Sequence, residues 1–236
     1  MKNITLLALD TSTEACSVAL WHKGEKTYLD ELAQRTHTKR ILPMIDELLA
    51  NSGINLKQVD ALAFGRGPGS FTGVRVGAGI AQGLAFGADL PVIAVSNLTA
   101  MAQAAFELHQ AENVAAAIDA RMNEVYVSQV KREKVRSELG EFFQWNPVIE
   151  EQVCQPEKAL EQLSDLTAYR VGTGWVAYPQ FKDSGLEGSD IILPSAQYML
   201  ELALTDYAQN KIISALEIEP VYLRNEVTWK KLPGRE

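Results

Sequence analysis

Short apolar runs separated by polar turns open the chain. Thr5–Leu9 is apolar, Asp10-Thr11-Ser12-Thr13-Glu14 is polar, and Cys16–Trp21 is apolar again. Gly24 then turns into a third extended stretch near Thr27–Glu31. Runs of this length bounded by turn residues predict strands. The period changes after residue 37. Ile41, Leu42, Met44, Ile45, Leu48 and Leu49 recur at i, i+3, i+4 and i+7, which predicts an amphipathic helix over Thr38–Ala50. Pro43 falls inside it and should kink it or mark its effective start. Asn51-Ser52-Gly53 ends it. Val59–Phe64 and Pro91–Val95 predict two more strands, and Ser96 is placed to cap a helix running to about Leu108.

Between those strands lies a block holding eight of the sixteen glycines, Gly65 to Gly87. Gly65-Arg66-Gly67-Pro68-Gly69 supplies the backbone freedom of a tight turn. A helix over Thr72–Phe86 is expected next, because Val76, Ile80 and Leu84 stack at spacing four. Gly73 and Gly77, and again Gly79, Gly83 and Gly87, are also four apart. Each interior glycine costs about 1 kcal/mol of helix stability relative to alanine, so another backbone is expected close by. A glycine turn opening a helix can instead cradle phosphate. No Gly-Lys-Ser/Thr follows and the spacing is not Gly-x-Gly-x-x-Gly. Packing and phosphate contact both stay open on this pattern.

The plan then begins again. Ala117-Ile118-Asp119-Ala120 echoes Ala8-Leu9-Asp10-Thr11, and each acid is followed eight residues later by a valine, Val127 and Val18. Further strands are expected near Glu141–Val148 and Ala168–Val171, helices near Pro156–Leu163 and Ala196–Gln209, and a turn at Gly172-Thr173-Gly174. The segment from Glu217 carries no helical stripe. Two α/β domains of related plan are predicted, 1–108 and 109–236. Asp119-Ala120-Arg121 is expected to be structural, with Arg121 paired to a nearby acid or carbonyl.

Charge and composition narrow the function. The 236 residues are 47% hydrophobic and 22% charged, with net charge −8. That acidity argues against a free-standing nucleic-acid binder. The basic stretches Lys131–Arg136 and Arg224 to Arg235 fit a solvated face and a tail. Cys16 and Cys154 lack a CxxC partner, so no zinc site or disulfide framework is implied. His22, His37 and His109 are not at metal-ligand spacing. No metal, cofactor or catalytic set is predicted. No apolar run approaches a membrane span and no signal-peptide pattern appears, so a cytoplasmic location is expected.

Strand-turn-strand-strand followed by helix, strand and helix, seen twice, is similar to the actin–hexokinase–Hsp70 superfamily. There an Asp-x-[GST]-[ST] turn holds phosphates, and Asp10-Thr11-Ser12-Thr13 loosely resembles it. Gly172-Thr173-Gly174-Trp175 resembles the place where that superfamily holds adenosine. Asp10, Thr11, Gly172 and Gly174 are thus degenerate nucleotide-turn positions. Ala8–Trp21, Thr36–Met44, Gly65–Gly77, Ile118–Tyr126 and Glu219–Gly234 closely resemble the bacterial TsaB (YeaZ) family across essentially the whole chain.

The resemblance implies a non-catalytic partner of the subunit that makes N6-threonylcarbamoyladenosine at position 37 of tRNAs reading codons that begin with A. It also implies an ATPase subunit in the same complex, tRNA contact mainly through partners, and a homodimer when the partner is absent. The catalytic paralogue carries a His-x-x-x-His pair on the helix that here begins Val95-Ser96-Asn97-Leu98-Thr99-Ala100-Met101-Ala102 and lacks it. The alternative is an ATP-dependent enzyme on this fold, or the peptidase of the older glycoprotease label. The family's helix pair implies a partner surface on Ile41, Leu42, Ile45 and Leu48 of one helix and Gly73, Val74, Gly77 and Ile80 of the other. Val74→Arg or Ile45→Arg is expected to leave the fold intact and break the complex.

Overall fold

The computed structural model describes residues 4–33, 36–137, 140–163 and 167–224. Of the basic tail expected from Arg224 to Arg235, Arg224 is described and everything from Asn225 onward lies outside the described residues.

The apolar runs of the first half pair into one sheet. β1 (Leu6–Asp10), β2 (Ala15–His22) and β3 (Glu25–Leu32) form an antiparallel meander. After α1 (His37–Asn51), β4 (Ala61–Gly65) adds parallel to the free side of β1. After α2 (Phe71–Ala88), β5 (Val92–Val95) adds parallel to β4, giving the order β3-β2-β1-β4-β5. α1 starts at His37 and runs through Pro43, which lies on its exposed side, so the proline does not mark the start. Ser70 caps α2 by accepting the Gly73 N–H at 3.0 Å. Ser96 caps α3 (Asn97–His109) by accepting that of Thr99 at 3.2 Å.

The second half repeats the plan. β6 (Asn113–Arg121), β7 (Glu124–Ser137) and β8 (Gly140–Cys154) form a second antiparallel meander. Beyond α4 (Pro156–Gln162), β9 (Tyr169–Val171) adds parallel to β6, giving β8-β7-β6-β9. β8 is longer than the expected strand at Glu141–Val148. It tolerates Pro147 because it lies at the sheet edge, where a missing N–H costs no ladder bond on the open side. The Gly172-Thr173-Gly174 turn leads into two short helices, α5 (Gly174–Ala177) and α6 (Pro179–Asp183).

Each sheet is packed on both faces. On one face of the first sheet, Leu7, Leu9, Val18, Leu62 and Phe64 meet Ile41, Met44, Ile45 and Leu48 of α1 and Ala78, Ala81 and Ala85 of α2. The other face, with Leu6, Ala8, Ala63 and Ile93, is covered by Ala100 of α3 and by Met199, Leu200, Ala203 and Leu204 of α7 (Met199–Ala208). α3 also sends Leu98, Met101 and Ala105 against Val114, Ala116 and Ile118 of the second sheet. The far face of that sheet is closed by Ala159, Trp175 and Phe181.

The sequence division at 108 and 109 puts residues 196–218 in the second half. Their side chains pack on the first sheet instead. A sheet with an apolar face on both sides needs two covers, and α3 alone spans only part of one. Ala215 and Ile218 extend this cover onto the α1–α2 side.

Candidate functional site

A cleft of about 810 Å³ lies between the two lobes. Its walls include Ser12, Thr13 and Ser70 from the first lobe and Asp119, Arg121 and Thr173 from the second. β1 and β6 run toward this cleft; β6 brings Asp119 into its lining, while Asp10 at the end of β1 is buried behind Ser12 and Thr13.

Asp10 is fully buried. Its carboxylate accepts from Asn97 Nδ2 at 2.8 Å and from Ser12 Oγ at 3.0 Å. Asn97 Nδ2 also reaches Ser12 Oγ at 2.7 Å, while Asn97 Oδ1 accepts the Gly67 N–H at 2.7 Å. Burial raises the Asp10 pKa to about 6 against the opposing pull of Asn97 and Ser12. The glycine block is shaped by this knot. A Cβ at Gly65 would overlap the Asp10 carboxylate, and one at Gly69 or Gly73 would overlap the backbone carbonyl of Ser12 or Thr11. Ser70 N–H donates to the Ser12 carbonyl at 2.7 Å, and Thr11 Oγ1 donates to the Gly73 carbonyl at 2.7 Å. The turn at Asp10–Thr13 is therefore filled by the chain's own backbone. The close backbone expected from the glycines is the Asp10–Thr13 turn.

Asp119 has the matching place in the second lobe with different partners. It accepts from Tyr178 OH at 2.7 Å and from the Arg121 N–H at 2.8 Å, and pairs with the exposed Arg121 guanidinium at 2.9 Å. The expected pairing of Arg121 with an acid is present. The Gly172 φ of +106° and its close approach to the Ala117 carbonyl leave no room for a side chain, and Gly174 packs on the Ala117 Cβ. Among the described residues, no group of three or more His, Cys, Asp or Glu could hold a metal ion.

The residues expected at a partner surface are mostly turned inward. Ile41, Ile45, Leu48 and Val74 are at most 4% exposed. Gly73 and Gly77 face Thr11. Ile80 is half-buried against the first core, and only Leu42, at 41%, is open to solvent. The sheet consumes both apolar stripes, so Val74→Arg or Ile45→Arg would put a charge into the core rather than into a contact. The open side of α2 carries the other glycines. A Cβ at Gly79, Gly83 or Gly87 would meet no atom within 4 Å, and Phe86 beside them is 72% exposed. Sequence spacing alone could not separate these two glycine sets. Asn97 was not anticipated as the partner of Asp10, because the two are 87 positions apart.

Duplicated mixed sheets around a cleft, with an acid at or near the end of the first strand of each, define a two-domain α/β protein of the actin, hexokinase and Hsp70 plan. The family model described as "TsaD: tRNA N6-adenosine threonylcarbamoyltransferase" matches residues 26–189. The TsaB protein of Haemophilus influenzae is 79% identical over 236 residues, covering 100% of both chains. That of Escherichia coli is 50% identical over 236 residues, covering 98% of this chain and 99% of its own. A crystal structure from Pseudomonas aeruginosa, titled as similar to peptidase YEAZ, has a TM-score of 0.83 at 43% identity, covering 94% of this chain and 100% of that one. The chain belongs to the TsaB (YeaZ) family, whose curated members are named tRNA threonylcarbamoyladenosine biosynthesis proteins.

Proposed function

We propose that this chain is a non-catalytic partner subunit in the formation of N6-threonylcarbamoyladenosine at position 37 of tRNAs reading codons that begin with A. It binds and supports the catalytic transferase paralogue, within a cytoplasmic complex that also contains an ATPase subunit, and tRNA is contacted mainly through those partners. The same surface pairs two copies of this chain when the transferase is absent. The observation that carries this reading is the outer face of α2, where Gly79, Gly83 and Gly87 leave open space beside the exposed Phe86. Small residues four apart let a helix approach closely, and an exposed aromatic beside such a groove is an interface feature. Leu42 of the adjacent α1 extends the apolar surface. The filled turn at Asp10–Thr13 supports the lack of catalysis, because the backbone that would hold phosphate is already engaged.

The test is co-purification with the transferase, followed by a tRNA modification assay. Gly83→Arg places a long side chain in open space, so the variant should fold with wild-type stability. It should also lose the complex and reduce modification by at least tenfold. Wild-type complex formation and modification by this variant would place the contact elsewhere. ATP turnover by the purified chain alone would overturn the non-catalytic reading separately.

A further inference from the structure

The segment after the first-lobe core crosses the cleft. Ile218 is still packed in the first core. Three residues on, the Val221 N–H donates to the Arg66 carbonyl at 2.9 Å, and the Tyr222 ring lies 4.7 Å from the Arg75 guanidinium of α2. Arg224 then reaches the second lobe. Its guanidinium donates to the carbonyls of Ala120 at 3.1 Å and Arg121 at 3.4 Å and pairs with the Glu124 carboxylate. These groups form the β6–β7 turn, where Arg121, Met122 and Asn123 have φ of 63°, 57° and 60°. Three successive non-glycine residues in the left-handed region persist only where surrounding contacts over-determine them. Arg224 supplies such contacts from a segment anchored on the other lobe.

A second tie lies behind the first. The Arg66 guanidinium pairs with Glu151 of β8 at 3.0 Å, and Ser96 Oγ donates to the same carboxylate. Arg66 therefore holds the crossing segment with its carbonyl and the second sheet with its side chain. Both pairs are largely shielded from solvent: Arg66 and Glu151 side chains are 25% and 19% exposed, and Arg224 is 19% exposed. Charge-assisted hydrogen bonds in such surroundings hold geometry better than open surface pairs do.

We propose that residues 219–224 form a strap, fastened by Arg224, that fixes the separation of the two lobes across the cleft. Proteins of this architecture offer two lobes that could hinge. Here the strap in front and the Arg66–Glu151 pair behind hold the cleft at one width.

The experiment uses the full chain with spin labels at Lys57→Cys in the first lobe and Lys158→Cys in the second, both exposed, while Cys16 and Cys154 are buried from the label. The label-to-label distance distribution should be narrow with Arg224 present and at least twice as broad in Arg224→Gln. Amide exchange at residues 121–125 should rise at least tenfold in Arg224→Gln, with the first sheet unchanged. Arg224→Lys, which keeps the charge but not the guanidinium's several donors to the turn, should fall between, and it carries the same test if the glutamine variant does not fold. An unchanged distance distribution would overturn the strap. So would equal acceleration of exchange in both sheets, which would mark general destabilisation.

Discussion

At the scale of single residues, Asp10 concentrates the cost and the specificity of the first lobe. A carboxylate with no solvent contact is tolerated because Asn97 and Ser12 donate to it, yet burial still leaves its pKa raised to about 6 from 3.8. The folded state thus holds this proton more tightly than the unfolded chain does. The stability linked to Asp10 is complete below about 3.8 and falls as pH rises through about 6. Asp10→Asn removes the titration and keeps the shape. Stability measured by urea unfolding should therefore fall in the wild type relative to this variant by about 2 kcal/mol between pH 4 and pH 8. A difference that stays constant over that range would show that Asp10 does not carry a raised pKa. The aspartate was visible in the sequence as a turn residue, but its partner was not. Asn97 follows the cap of a distant helix, and only the parallel placement of β1, β4 and β5 brings the two ends together.

At the scale of elements, strand and helix identities follow directly from period. The alternation from short apolar runs to the Ile41, Ile45, Leu48 stripe gives β3 and α1 their boundaries within a few residues, and the Ser96 cap stands where expected. What covers a stripe is a different question from whether the stripe exists. α1 and α2 show apolar positions enough for a partner, but β1, β2 and β4 present Leu7, Leu9, Val18, Leu62 and Phe64 to the same space. The sheet takes the stripes, and the partner face passes to the residues left outside. Ile45→Arg would accordingly bury an unpaired cation at a site 2% exposed. The expected cost is several kcal/mol, enough to unfold a typical domain or deplete it from the soluble fraction. A cooperative thermal transition near the wild-type temperature would contradict that placement. The two glycine sets illustrate the same limit. Gly73 and Gly77 need Thr11 beside them, Gly79 and Gly83 need nothing, and both sets carry the same spacing of four.

At the scale of the whole molecule, the two meanders are repeats that share a helix and a cover. α3 packs on both sheets, and Met199, Leu200, Ala203 and Leu204 return from the far end of the chain to close the first one. A fragment ending at residue 108 would expose Leu6, Ala8, Ala63 and Ile93, which are at most 1% exposed in the intact chain. It should fail to show a cooperative unfolding transition, and adding a peptide of residues 196–218 should restore helix content and solubility. A fragment that melts cooperatively by itself would mean that the return is decorative. Duplication was legible from Asp10 and Asp119 because the acids recur at equivalent turns. The crossing back was not legible, because α7 has an ordinary helical pattern that names no address. That return also orders events during synthesis. The first sheet is completed late, since its second cover, α7, is made only after the whole of the second sheet. For most of translation an apolar sheet face waits without its helix, and nascent chains in that state are the ones chaperones hold and aggregation claims.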